Sequence, residues 1–165
     1  MRHLPRPVHP PKRLRRRYRR WIYVIGLGLW GSGVAWMIAH HLLKAAGSDP
    51  LLPAASEPWW LRVHGATAMA FLVTLGSLFP VHVRQGWHAH LNRASGVTLL
   101  TTCAVLTVTG YGLYYLSGDA WRAKTSIIHQ VVGVAAVAAL LVHVILGRRV
   151  DRVLRGARHT HHPGH

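Results

Sequence analysis

The sequence predicts an all-α integral membrane protein, a four-helix bundle running up-down-up-down with both termini cytoplasmic. Three observations carry that prediction. Four apolar stretches take up most of the 165 residues. Cationic residues collect at the two ends of the chain and in one connecting loop. Histidines recur inside two of the apolar stretches at helical spacing.

The first stretch runs from Trp21 to Leu43, the second from about Trp59 to Val83, the third from about Ser95 to Leu116, and the fourth from Ser126 to Gly147. Each has about 20 residues or more with few or no charges, the length a helix needs to cross a bilayer core. The chain then divides into a basic tail over 1–20, a transmembrane domain over 21–147 and a basic, His-rich tail over 148–165. Within these residues no length is left for a nucleotide-binding or substrate domain, so a soluble redox or catalytic partner would be another chain.

The net charge of +16 raises nucleic acid as a partner, but the charge distribution argues against it. Nine Lys and Arg precede Trp21, and Arg148, Arg149, Arg152, Arg155 and Arg158 follow the fourth stretch. The loop between stretches two and three holds Arg84 and Arg93 and no acid, whereas Asp49, Glu57 and Asp119 fall in the other two loops. The positive-inside rule therefore places both termini and the middle loop in the cytoplasm. The basic tails are expected on anionic membrane lipid, at about 1 kcal/mol per residue near the surface. The long basic start and long first apolar run read as a signal anchor in the cell inner membrane rather than a cleaved leader.

Along the chain, residues 1–20 and the final GARHTHHPGH read as disordered. Gly26, Gly28, Gly31 and Gly33 let another helix approach the first stretch closely. Pro50, Pro53 and Pro58 keep the first outer loop non-helical, and Pro80 frees the carbonyl of Gly76 and kinks the second stretch before His82. Cys103, the single cysteine, excludes an intrachain disulfide and a c-type haem motif, and reads as packing.

The histidines carry the chemistry. His129 and His143 lie fourteen residues apart in the fourth stretch. That spacing returns a side chain to within about 40° of the same helix face and about 21 Å along the axis. His64 and His82 stand eighteen apart in the second stretch, about 27 Å along the axis. Ionisable groups inside a membrane usually mark a functional path, and imidazole is a common axial ligand of haem iron. Stretches two and four run in the same direction, so His64 pairs in depth with His129 and His82 with His143. The expectation is two b-type haems, one toward each side, with these four histidines as iron ligands. The difference between the two spacings strains the inner pair.

A macrocycle between helices needs small residues facing it. Gly133, one turn from His129, is a candidate, with Gly65, Gly76, Gly96, Gly110 and Gly112. Propionates need cationic partners at the membrane surface, which Arg62 and Arg122 would supply outside and Arg93 and Arg84 inside. His40 and His41 read as interfacial, with lining a quinone pocket or replacing His64 as alternatives. His88 and His90 read as solvated, and the tail histidines as part of a flexible polar tail.

At these residues the chain resembles the di-haem b-type membrane cytochromes, a group that includes bacterial cytochrome b561 and the cytochrome b subunits of hydrogenases and formate dehydrogenases. The stretch from Asn92 to Arg148, with NRASG, VTGYGLYY, HQVVG and HVILGRR, is most similar to the small flavinylation-associated cytochromes. In bacterial cytochrome b561 the first helix supplies a ligand at its cytoplasmic end. Here that stretch has only His40 and His41, at the other end, so the inner haem relies on His82 or is absent, leaving one haem on His64 and His129. The resemblance implies electron transfer, with a quinone and an extracytoplasmic or membrane redox protein as partners. Two other readings compete: a transporter whose histidines carry protons or a metal, and a cofactor-free anchor or assembly subunit. No acid lies inside an apolar stretch to act as a general base.

Overall fold

Where lipid removes water from the backbone, a chain must satisfy its own peptide groups, and helix does so within one segment. The computed structural model describes residues 15–43, 55–88 and 92–160. Helix α1 spans Arg16–Ile38 and continues as a π-helical turn over Ala39–Leu43. Helix α2 spans Glu57–Leu78 and continues as a second π-helical turn over Phe79–Val83. The short α3 covers Arg84–His88, α4 covers Arg93–Tyr115, and α5 covers Asp119–Thr160. Among the described residues there is no strand. Four helices are long and apolar enough to cross a membrane: Arg16–Leu43, Glu57–Leu78, Arg93–Tyr115 and Asp119–Val150.

Burial is inverted relative to a water-soluble domain. Among the described residues the buried ones are Ala39, Ser32, Thr74 and Ser95. Large apolar side chains such as Leu27, Val73, Val108 and Val131 are instead mostly exposed, Val73 at 73%. In water such a surface would be an aggregation liability. Against lipid tails it is the expected exterior, and small and polar residues belong between the helices. The chain is a multi-pass membrane protein.

Several boundaries differ from the sequence expectation. Helix α1 takes in Arg16–Arg20, because arginine is a good helix former and its stem can lie along apolar surface with the charge in water. Helix α5 runs through the tail expected to be irregular, as far as Thr160, because no proline interrupts it before Pro163. Pro58 falls in the first turn of α2, where its missing N–H is harmless. Pro80 lies inside the π-helical turn, and the Gly76 carbonyl accepts instead from the backbone N–H of Phe79. The kink expected before His82 is thus a local widening of the helix. Pro50, Pro53, His90, His161, His162 and His165 lie outside the described residues.

The described residues fall into two units, each built on an antiparallel helix pair. In the first, α1 and α2 meet at Gly28 against Thr67 and Gly33 against His64, and Tyr18 hydrogen-bonds Ser77. In the second, α4 and α5 meet at Gly96 against His143, Gly110 against His129 and Gly112 against Thr125. Its tight connection turns at Gly118, whose φ of 101° favours glycine. Asn92 opens α4 in the left-handed region at φ 54°, which asparagine tolerates. Reporter fusions at Gly118 should read periplasmic, and one after Gly156 cytoplasmic. The reverse pattern would invert the orientation drawn from the loop charges.

Candidate functional site

Three histidines inside the apolar helices are held in the same way. In the α1–α2 pair, His64 Nδ1 lies 3.0 Å from the Leu29 carbonyl and 3.2 Å from Ser32 Oγ. In the α4–α5 pair, His129 Nδ1 is 2.8 Å from Thr109 Oγ1, and His143 Nδ1 is 3.1 Å from Ser95 Oγ. Each hydroxyl belongs to a residue directly followed by glycine: Ser32-Gly33, Ser95-Gly96 and Thr109-Gly110. The imidazole edge packs on that glycine. A Cβ built on Gly33, Gly110 or Gly96 would stand 3.1, 3.3 or 3.7 Å from the histidine Cε1.

The hydrogen-bond network assigns the tautomers. A hydroxyl has one proton to donate. Thr109 Oγ1 donates its proton to the Val105 carbonyl at 2.7 Å, so it accepts from His129 Nδ1–H. Ser95 Oγ donates to Asn92 Oδ1 at 2.6 Å, so it accepts from His143 Nδ1–H. His64 Nδ1 faces a carbonyl, which can only accept. In all three rings Nδ1 carries the proton and Nε2 carries the lone pair. That is the form in which a histidine ligates a metal, with its other nitrogen hydrogen-bonded to fix the ring. The residues present therefore fit a metal-bearing group that would take Nε2 as a ligand.

His143 is fastened further. Asn92 Nδ2 donates to the His143 carbonyl at 3.2 Å while Asn92 Oδ1 receives Ser95. The NRASG run thus clamps both the ring and the backbone of His143. His82, on the π-helical turn after α2, is exposed, and its ring centroid lies 6.1 Å from that of His143 at an interplanar angle of 83°. Two imidazoles on opposite sides of one metal, each nitrogen about 2.0 Å from it, have centroids roughly 6 Å apart. The structure therefore brings together the expected inner pair. His64 and His129 are each described within their own helix pair.

The two pairs differ in what stands one fourteen-residue step from the clamped residues. In α4–α5, fourteen residues back from Thr109 is Ser95, and fourteen on from His129 is His143. In α1–α2, the corresponding steps from Ser32 and His64 reach Tyr18 and Leu78. Tyr18 hydrogen-bonds Ser77 at that level, and no histidine stands there. The first pair holds one clamped histidine and the second holds two, with His82 one turn beyond the vacant register.

Other expected site residues fall out as follows. Arg62 is exposed at the start of α2. Arg93 donates to the Trp87 carbonyl through Nε at 3.0 Å and Nη2 at 2.6 Å, and its guanidinium covers the Trp87 ring. Gly133 faces Leu106 Cδ2 at 3.8 Å, a helix-packing contact. Gly96 and Gly110 lie against imidazoles. His40 pairs with Glu57 at 2.7 Å, stacks on Trp36 and contacts His41. His88 is exposed at the end of α3. Asn92, Ser95 and Thr109 lie in the NRASG and VTGYGLYY motifs noted in the sequence but, like Ser32, were given no role there, although the hydroxyl–glycine dipeptide was a signal in plain view. Among the described residues no group of three or more His, Cys, Asp or Glu is placed to hold a metal ion.

No family model matches the chain, and neither does any curated protein or solved structure searched.

Proposed function

We propose that the chain is a b-type cytochrome of the cell inner membrane that carries electrons within or across the bilayer. On the depth pairing read from the sequence, His64 and His129 would hold one haem and His82 and His143 the other. The observation that supports it most is the hydrogen bond each of His64, His129 and His143 makes through Nδ1, the nitrogen a ligating histidine has fixed while Nε2 meets the metal. The spacing of the His82 and His143 rings supports the inner site.

Haem supplies the one-electron couple. The residues of this chain bind and orient it and keep water away. The clamps hold each ring in one orientation, and the glycines let the imidazole lie against the neighbouring backbone. Apolar helix surface lowers the dielectric around the ligands. His129 and His143 lie about 21 Å apart along α5, so two haems there would span much of the hydrocarbon core. A quinone in the membrane and a redox protein at the extracytoplasmic side are the partners this reading takes. Arg62 and Arg93 would pair with propionates where these meet water.

Protein purified in detergent from haem-replete cells should be red, with a sharp low-spin α-band on reduction. Acid acetone should extract the pigment, since no cysteine pair exists to attach it covalently. A colourless preparation would remove this reading in favour of a transporter or an anchor subunit.

A further inference from the structure

We propose that Ser32, Ser95 and Thr109 are positioning residues whose hydroxyls, each seated beside a glycine, fix the tautomer and ring orientation in which His64, His143 and His129 serve as ligands. The inference rests on the cytochrome reading and deepens it. Two parts of the geometry carry it.

First, the same unit occurs three times on two different helix pairs: a hydroxyl, the glycine after it, and an imidazole whose Nδ1 meets the one and whose Cε1 meets the other. The hydroxyl fixes the tautomer. The glycine, by lacking a Cβ, admits the ring and leaves it little room to rotate. Two of the three hydroxyl residues, Ser32 and Ser95, are among the few buried side chains described. A hydroxyl in a membrane helix satisfies itself on the carbonyl one turn back, as Thr98, Thr102 and Thr107 do. Thr109 does that and also receives a second bond from His129.

Second, His40 and His82 lack the hydroxyl–glycine seat among the described residues. His40 Nδ1 meets a carboxylate, Glu57 Oε1, and its ring stacks on Trp36. His82 makes no hydrogen bond among the described residues, so its site would have one clamped ligand where the other has two. A hydrogen bond from Nδ1–H to a fixed acceptor makes Nε2 a stronger donor to the metal, which favours the oxidised iron. Loss of a clamp hydroxyl should therefore raise the midpoint potential of that haem and loosen it.

The test uses the full chain in detergent, with and without haem. In haem-free protein labelled with ¹⁵N-histidine, the rings of His64, His129 and His143 should each show a protonated Nδ1 and an unprotonated Nε2. Thr109→Val should turn His129 into a tautomer mixture and leave the other two unchanged. In loaded protein, Thr109→Val should speed haem transfer to excess apomyoglobin by about 10–100-fold and move one component to higher potential. Thr109→Ser should restore both. Thr107→Val loses the same kind of local bond without touching a histidine, so it should resemble wild type. The proposal is overturned if haem-free wild type carries the proton of His129 on Nε2, or if Thr109→Val and Thr107→Val behave alike. Nδ1-protonated rings in a chain that takes up no haem would uphold the clamps and reject the cytochrome reading.

Discussion

Replacing His129 with alanine should remove one haem of about two per chain, and replacing His64 should remove the same one. The two substitutions should delete, or turn high-spin, a single spectral component, because each takes one axial ligand from one iron. His143→Ala and His82→Ala should act together on the second component. The inner pair is the more exacting case. His82 is exposed and unclamped, on the π-helical turn that also holds Pro80. If His82→Ala leaves the haem-to-protein ratio and the spectrum unchanged, the inner iron takes its second ligand elsewhere. If His40→Ala or His41→Ala removes the outer component while His64→Ala does not, the histidine end of α1 forms the outer site instead.

The glycines give a second, graded prediction. A methyl on Gly33 would stand 3.1 Å from His64 Cε1 and 3.3 Å from its Nδ1, closer than such contacts are normally made. On Gly110 it would stand 3.3 Å from His129 Cε1, and on Gly96 it would meet His143 at an ordinary 3.7 Å. Gly33→Ala should therefore disturb its haem most, Gly110→Ala less, and Gly96→Ala hardly at all. Overpacking of this kind costs about 1–3 kcal/mol, which corresponds to a roughly 5–150-fold loss in haem retention at Gly33. Gly133→Ala, facing the flexible end of Leu106 at 3.8 Å, should be close to wild type. Equal effects at Gly33 and Gly96 would show that the rings do not rest on these glycines.

Much of this was legible in the sequence, for reasons that can be stated residue by residue. Lipid removes the alternatives to helix, so four apolar runs sufficed for four membrane-length helices. The fourteen-residue spacing of His129 and His143 survives as two clamped rings on α5 because a straight helix preserves phase over that distance. The helix ends were less legible. Whether arginines such as Arg16 and Arg17 extend a helix or fray from it depends on where the charge reaches water, and that is not written in the residues. The hydroxyl clamps were the main omission. Thr107 and Thr109 look alike in sequence, and both bond back to their own helix. Only the register of α4 against α5 makes Thr109 the one that meets a histidine. The same holds for Gly133 and Gly110: both are small, yet one faces a leucine and the other an imidazole.

Low-temperature electron paramagnetic resonance of the oxidised, detergent-purified chain, with near-infrared magnetic circular dichroism on the same sample, tests the central claim most directly. Both methods report the axial ligands of ferric haem rather than its mere presence. The account predicts two low-spin bis-imidazole centres per chain, one lost in His64→Ala and His129→Ala and the other lost in His82→Ala and His143→Ala. Iron-free protein from haem-replete cells, or a ferric centre with any ligand pair other than two imidazoles, would contradict it.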